Sequence, residues 1–129
     1  MGLDLYLVAR KNVATFSEEY AKIVDACGVK SDGGSAYITI EINVIYWRKA
    51  EFIANWLREV ASKHAGGLGP DVLQELAKFC IQVVETKKIV ETPATDEEIR
   101  QAMYGVERTH ALLQNRRLDK YDFDFVDSY

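Results

Sequence analysis

The segment YITIEINVIYWRKA, residues 37–50, decides the fold of this chain. Its first half alternates isoleucine or valine with more polar side chains, a pattern that predicts a β-strand with one buried face. The alternation ends, and a helical pattern begins, within the corner Tyr46-Trp47-Arg48-Lys49-Ala50. A junction between two elements can hold its side chains rigid, so this corner is either a binding site or a well-anchored structural joint.

Two other segments show the alternation of a strand. Leu3, Leu5 and Leu7 alternate with other residues near the start of the sequence, and aromatic residues alternate with acidic ones from Tyr121 to Val126. The predicted sheet is small and antiparallel, with about three strands, at residues 3–9, 36–46 and 120–126. We expect the third strand at an edge of the sheet, and the order of the strands stays open at this point.

Helical spacing of apolar residues predicts the remaining elements. A short helix ends at about Cys27, with Ser17 or Thr15 as its N-cap and Gly28 just past its end. Longer helices are expected at residues 47–64, 71–85 and 96–117. Residues 85–91 either continue a helix or form a short strand. Together these elements predict one α+β domain, residues 1–129, in which the sheet packs with three to four helices.

The last predicted helix begins with a capping box formed by Thr95 and Glu98. Gly105 weakens this helix by about 1 kcal/mol relative to alanine, a cost that usually has a packing reason such as close helix approach. We expect its buried stripe to include Ile99, Ala102, Met103, Val106, His110 and Leu113. His110 is therefore interpreted as a hydrogen-bonded core histidine in preference to a general base.

Phe52 and Trp56 lie off the centre of the stripe predicted for the helix at 47–64. At about 100° per residue, this i,i+4 pair lies roughly a quarter turn or more from the centre of the stripe and needs a second neighbour. Either another helix of the chain or a protein interface can provide it. We assign both residues to an interface and expect a homo-oligomer, since small ligand-binding proteins often form their sites between protomers.

Composition limits the possible classes of protein. The chain has 129 residues, of which 48% are apolar, so it can bury a full core without a metal or disulfide. Its net charge of -4 argues against general nucleic-acid binding. No apolar run is long enough for a membrane span, and Cys27 and Cys80 are expected to be buried thiols. We expect a cytoplasmic protein that needs no cofactor.

The sequence carries no recognisable catalytic or metal-binding motif. Walker loops, dinucleotide fingerprints, nucleophile elbows and paired cysteine or histidine ligands are all absent. The aspartates at 119, 122, 124 and 127 alternate as a solvent-facing side of a strand would. We therefore predict no catalytic residues and no metal site.

Two short blocks resemble a family of small bacteriophage proteins. The opening Met1-Gly2-Leu3-Asp4-Leu5-Tyr6-Leu7 is similar to MGLDMYL, and the corner at 46–50, with Ile53 and Trp56, is similar to a YWRKAN-x-I-H-x-W core. Glu51 and Ala54 stand where the family often has asparagine and histidine. The resemblance implies a phage accessory role in the host cytoplasm, such as capture of a nucleotide immune signal or binding of a host protein.

The corner supplies the candidate ligand site. Arg48 and Lys49 lie in the first turn of the predicted helix, where cations oppose the helix dipole and need another partner. A bound phosphate can use both cations, while an aromatic ring of the ligand stacks on Tyr6, Tyr46 or Trp47. The alternative is structural: Trp47 is core, Arg48 pairs with Asp4 or Glu41, and Lys49 is solvated.

Binding of a small anionic, nucleotide-like ligand without catalysis is the function that we favour at this point. A second hypothesis is inhibition of a host defence enzyme through Phe52, Trp56 and the acidic last strand. A third is a small hydrolase or lyase in which His110 works with Asp4 or Glu41 as acid and base.

Overall fold

The computed structural model describes residues 4–30, 34, 36–63, 68–69, 71–115 and 120–128. Its elements, in chain order, are β1 (Asp4–Ala14), α1 (Glu18–Cys27), β2 (Tyr37–Arg48), α2 (Glu51–Lys63), α3 (Asp71–Thr86), β3 (Lys88–Ile89), β4 (Thr92–Pro93), α4 (Asp96–Leu113) and β5 (Asp122–Ser128). The predicted α+β class is confirmed. The segment left open at 85–91 ends α3 and then enters the small β3–β4 hairpin.

The main sheet is antiparallel and has the order β2-β1-β5. β1 pairs with β2 over its whole length, from Asp4 opposite Arg48 to Ala14 opposite Tyr37. β5 pairs only with residues 4–10 of β1, so the far end of the β1–β2 ribbon extends beyond it. The predicted edge position of the last strand is confirmed, and β2 forms the opposite edge.

The two faces of the sheet differ because successive side chains of a strand point to opposite sides. One side, the covered face, carries the apolar residues that pack against the helices: Leu5, Leu7, Ala9, Ile45, Trp47, Phe123 and Phe125. The other side, the open face, carries Asp4, Tyr6, Arg10, Asn12 and the residues opposite them on β2 and β5. Val8 also lies on this side by alternation, but its side chain is fully buried. In the described part of the chain, side-chain hydrogen bonds from the open face reach only other strand residues. The helices therefore cover one face of the sheet.

Helices α3 and α4 lie in close contact at Gly105. A Cβ atom added to Gly105 would lie 2.8 Å from Sγ of Cys80 and 3.4 Å from the Trp47 ring. Cys80, Trp47 and the nearby Thr109 are all buried, so this contact lies inside the core. The close helix approach that the sequence indicates at Gly105 is confirmed.

The boundary between β2 and α2 corrects the sequence prediction. Trp47 and Arg48 belong to β2, and α2 begins at Glu51, not at residue 47. Lys49 between them has a φ of 59°, a left-handed backbone conformation that a helical first turn excludes. Trp47 fits both periods, since it follows Ile45 on the covered face of a strand and precedes Ala50 at helical spacing. Pairing with Leu5 decides the outcome in favour of the strand.

The buried side of α4 also differs from the predicted stripe. The helix buries Gln101, Ala102, Gly105 and Thr109, whereas His110 is exposed, as are Met103 at 55% and Leu113 at 39%. The expectation of a core histidine at His110 is wrong. Because α4 packs closely at Gly105, the side of the helix with small side chains faces the core. The larger apolar side chains then lie on either side of this buried surface.

Other local predictions have clear outcomes. Ser17 caps α1 by accepting from the Tyr20 N–H, and Gly28 ends it with a φ of 72°. The capping box of α4 is present. Cys27 is exposed, which corrects the expectation of two buried thiols, while Cys80 is buried. The predicted ends at residues 3, 64 and 117 lie outside the described residues. No described helix is long and apolar enough to cross a membrane.

Candidate functional site

One group of side chains on the open face contains most of the predicted site residues. Asp4 lies opposite Arg48, and Tyr6 lies opposite Tyr46, so the four residues form two adjacent rows across β1 and β2. We call Asp4, Tyr6, Tyr46 and Arg48 the tyrosine cluster. Val126 of β5 lies opposite Tyr6 and is 42% exposed, which extends the apolar row across all three strands.

The two tyrosines form an exposed aromatic surface. Their ring centroids are 4.9 Å apart, with an angle of 33° between the ring planes. The Tyr46 hydroxyl donates a hydrogen bond of 2.8 Å to Oδ1 of Asp4. This hydrogen bond is the main cause that raises the pKa of Tyr46 above its usual value, because it stabilises the protonated phenol beside a carboxylate. The ring of Tyr46 is thereby held in one orientation while 42% of the residue stays exposed.

Arg48 has no ion-pair partner in the described part of the chain. The two carboxylates expected as alternatives are otherwise engaged, since Asp4 accepts from Tyr46 and Glu41 accepts from Arg10 at 2.8 Å. The positive charge of Arg48 opposes the rise in the pKa of Tyr46, although the hydrogen bond to Asp4 outweighs it. The alternative prediction, in which Arg48 forms an ion pair with Asp4 or Glu41, is therefore wrong.

The backbone of this corner is anchored by α4. Nε2 of Gln101 donates to the carbonyl of Arg48 at 2.7 Å, and Nε1 of Trp47 donates to the carbonyl of Gln101 at 3.2 Å. The Trp47 ring also packs edge-on against Tyr104, with centroids 6.5 Å apart. Gln101 is buried, and its Oε1 has no hydrogen-bond partner among the described residues. The sequence gives no signal for Gln101, because its role depends on how α4 docks.

Trp47 and Lys49, two of the predicted ligand-binding residues, do not lie where the sequence places them. Trp47 is only 2% exposed and points to the covered face, which corrects the expectation that its ring stacks on a ligand. Lys49 is exposed, but its left-handed backbone places it at a turn and not at a helix N-terminus. Tyr6, Tyr46 and Arg48 remain together on one surface, and Lys49 is the next residue along the chain.

Phe52 and Trp56 find their second neighbour inside the chain. Trp56 stacks on Phe79 of α3 with centroids 5.3 Å apart, and Phe52 packs on the same ring at 6.1 Å. Phe52 is only 8% exposed. This packing corrects the interface assignment for Phe52 and leaves Trp56 partly exposed at the rim of a groove of about 260 Å³ that also includes Ile89 and Val90.

Arg10 forms a charged bridge at the centre of the open face. Its guanidinium donates to Oε2 of Glu41 at 2.8 Å and to Oδ2 of Asp124 at 2.6 Å, linking β1 to both of its neighbours. The hydrogen bond to Glu41 is the main cause that raises the pKa of Arg10. Because two carboxylates neutralise Arg10, the excess positive charge available to an anion lies at the Arg48 end of the face.

Four grooves lined by described residues lie away from the tyrosine cluster. A groove of about 420 Å³ lies beside the start of β5 and contains Arg10 and Lys11, both paired with carboxylates. A nearly apolar groove of about 340 Å³ lies between α3 and α4 at Ile81, Met103 and Val106. The others border Trp56 on its two sides. The tyrosine cluster is thus a surface platform and belongs to none of these four grooves.

Among the described residues, the side chains form no candidate metal centre. The described residues contain no group of three His, Cys, Asp or Glu side chains that could hold a metal ion. His110 is exposed on α4 and has no hydrogen bond or ion pair with Asp4 or Glu41. The residues of the proposed acid and base mechanism are not brought together by a direct contact.

Comparisons with known proteins give no guide to the ligand. The chain matches no protein-family model, no curated protein and no solved structure. The class that the fold defines is a small α+β protein with a half-covered three-stranded sheet.

Proposed function

We propose that the tyrosine cluster binds a small ligand that combines a planar ring with an anionic group, as a nucleotide does. The observation that carries this proposal is the exposed Arg48, which lacks an ion-pair partner among the described residues and lies beside the Tyr6–Tyr46 pair. The ring of the ligand stacks on the tyrosines, and its phosphate or carboxylate accepts from the guanidinium. Lys49 adds a second positive charge at the same end.

Two features support binding to a rigid site. Gln101 donates a hydrogen bond to the carbonyl of Arg48, and the preceding residue, Trp47, is buried and hydrogen-bonded to α4. The backbone that carries the guanidinium is therefore ordered before a ligand binds. Asp4 fixes the ring of Tyr46 and offers a second carboxylate oxygen to a hydroxyl group of the ligand. Preorganisation of this kind lowers the entropic cost of binding.

The biological role that we propose is sequestration without chemical conversion. The resemblance to phage proteins favours a host signalling nucleotide as the captured molecule, since a phage gains from removing such a signal. The lack of catalytic motifs in the sequence is consistent with capture. The proposal is that the protein acts as an accessory factor in the host cytoplasm.

Titration of the protein with a panel of linear and cyclic nucleotides tests the proposal. Isothermal calorimetry and thermal unfolding should identify at least one compound that releases heat and raises the melting temperature with concentration. Arg48→Gln should weaken its binding by about tenfold, or about 1.4 kcal/mol, which is close to the lower limit of about 1.5 kcal/mol for a hydrogen bond to a charged group. Arg100→Gln is the matched control, because Arg100 pairs with Glu97 on α4, outside the tyrosine cluster.

The result that would refute binding is a complete absence of heat and of thermal shift across the panel. Equal loss of affinity in Arg48→Gln and Arg100→Gln would show that the effect is only one of net charge. Tyr6→Leu should also weaken binding, because it removes the stacking surface and leaves Arg48 in place. Chromatography of the ligand after release distinguishes sequestration from turnover, since sequestration returns the compound intact.

A further inference from the structure

Among the described residues, none pairs with the outer backbone edge of β2 over residues 37–43. In the described part of the chain, β2 has β1 as its only neighbouring strand. Towards the other end of β2, α4 satisfies carbonyl groups, since Arg108 donates to Val44 at 2.9 Å and Gln101 donates to Arg48 at 2.7 Å. No described residue outside β1 hydrogen-bonds the backbone of residues 37–43. A strand edge of this length offers a row of donors and acceptors to another strand.

The alternation of the antiparallel ladder identifies which groups point outward. The Thr15 N–H donates to the carbonyl of Ala36 at 3.0 Å, so the backbone of Ala36 is directed towards β1. Backbone groups of alternate residues point the same way. The same direction therefore applies to Ile38, Ile40 and Ile42. The outward-pointing groups belong to Tyr37, Thr39, Glu41 and Asn43.

The side chains along this edge are apolar on one face. Ile38, Ile40 and Ile42 follow each other at every second residue and thus share one face of β2. The helices leave them incompletely covered: Ile42 is 45% exposed, and Ile38 and Ile40 are partly exposed. We call Ile38, Ile40 and Ile42 the isoleucine stripe. An unpaired edge with such a stripe favours strand addition, since pairing buries the stripe and satisfies the backbone together.

We propose that residues 37–43 of β2 pair with the same segment of a second copy of this chain, in an antiparallel register centred on Ile40. The outward groups of Thr39 then face those of Glu41 in the partner, and about eight backbone hydrogen bonds form across the two-fold axis. Ile40 meets its own copy, and Ile38 meets Ile42 of the other chain. Two three-stranded sheets become one continuous sheet.

The outer edge of β2 is complementary to itself, and this property identifies both the partner, a second copy of the chain, and the register. Centring the pair on Ile40 brings all three isoleucines into cross-strand contact and opposes each Glu41 to a neutral Thr39. A register centred on Glu41 would place two carboxylates directly opposite each other, which is destabilising. A register centred on Thr39 would move Ile42 opposite Ala36 and lose part of the apolar contact. The edge therefore fits a second copy of itself in one register better than in its neighbours.

A cysteine placed at the two-fold axis tests the register. In a Cys27→Ser background, which removes the exposed native thiol, Ile40→Cys should give a covalent dimer as its main product on mild oxidation. Opposed residues in a non-hydrogen-bonded pair have Cα atoms about 4.5 Å apart, within the range of a disulfide. Glu41→Cys is the matched control, because its two copies lie diagonally, about 7–8 Å apart, so this variant should form little covalent dimer.

Sedimentation velocity of the native chain and of two variants at Thr39 tests the pairing itself. The native chain should sediment as a dimer. Thr39→Pro removes an outward N–H and should give the mass of a monomer with an unchanged circular dichroism spectrum, whereas Thr39→Val keeps that N–H and should stay dimeric. A native monomer at all concentrations, a dimeric Thr39→Pro, or cross-linking of Glu41→Cys equal to that of Ile40→Cys would overturn the proposal. Should Thr39→Pro unfold, the cross-linking pair decides.

Discussion

Replacement of Gly105 by alanine should destabilise the protein, and removal of the Cys80 sulfur should relieve that effect. The added Cβ would lie 2.8 Å from Sγ of Cys80, a separation at which either the buried sulfur or one of the helices must shift. Overpacking of a core costs about 1–3 kcal/mol. Alanine gains about 1 kcal/mol over glycine in a helix interior. The free energy of unfolding of Gly105→Ala should therefore fall by roughly 0–2 kcal/mol.

The double variant tests the cause. Cys80→Ala alone loses roughly 1 kcal/mol, because it removes one buried heavy atom and leaves a small cavity. In that background Gly105→Ala no longer meets a sulfur, the remaining contacts are 3.4 Å and 3.7 Å, and its helix propensity should raise stability. The expected coupling between the two sites is about 1–3 kcal/mol.

Urea unfolding followed by far-UV circular dichroism gives the four free energies of this cycle. Gly69→Ala is the matched control, because a Cβ added there has no atom within 4 Å, and its stability should be unchanged or slightly raised. Additivity of the two substitutions within about 0.5 kcal/mol would refute the contact between Gly105 and Cys80 as the cause.

Three further predictions concern single groups. Burial raises the pKa of the Cys80 thiol from 9.0 to about 12, so only the unfolded chain releases this proton between those values. The free energy of unfolding should therefore be unaffected by this thiol below pH 9 and should fall by about 1.4 kcal/mol per pH unit above it. Urea unfolding should show this fall for the native chain but not for Cys80→Ala. Asp4→Asn should lower the pKa of Tyr46, because it removes the carboxylate that accepts its hydrogen bond; an unchanged midpoint in an NMR titration of the labelled ring would contradict this. Val90 has a φ of 59° and is 83% exposed, so Val90→Gly should raise the urea midpoint by relieving about 1 kcal/mol of backbone strain, and a lower midpoint would disprove the strain.

The sequence predicts those elements whose pattern has one interpretation. The alternation of Ile38, Ile40 and Ile42 can only be a strand, and the capping box at Thr95 can only begin a helix; both predictions are correct. The boundary at Trp47 fails because that residue satisfies the strand period and the helix period equally. Pairing of Trp47 with Leu5 on β1 places it in the strand, and no pattern in the neighbouring sequence predicts this pairing.

The candidate site was predictable in part for the same reason. Tyr6 and Tyr46 come together because both lie on strands with a known alternation, and they are opposite each other. Burial of Trp47 and the role of Gln101 depend on the docking of α4, whose buried side differs from the apolar stripe. A polar residue that anchors another element carries no periodic signal, so Gln101 was not identifiable from spacing.

The strand order has a consequence for synthesis on the ribosome. Arg10 and Asp124, which meet across β1 and β5, are separated by 114 positions in sequence. Closing a loop of that length costs about 4 kcal/mol of chain entropy, so the last strand gains its place only after the earlier elements have collapsed. The nascent chain therefore holds a half-finished sheet with β1 exposed along one side until β5 has left the ribosome. Vectorial folding of this kind makes the late docking of β5 the step at which mispairing between neighbouring nascent chains competes most strongly.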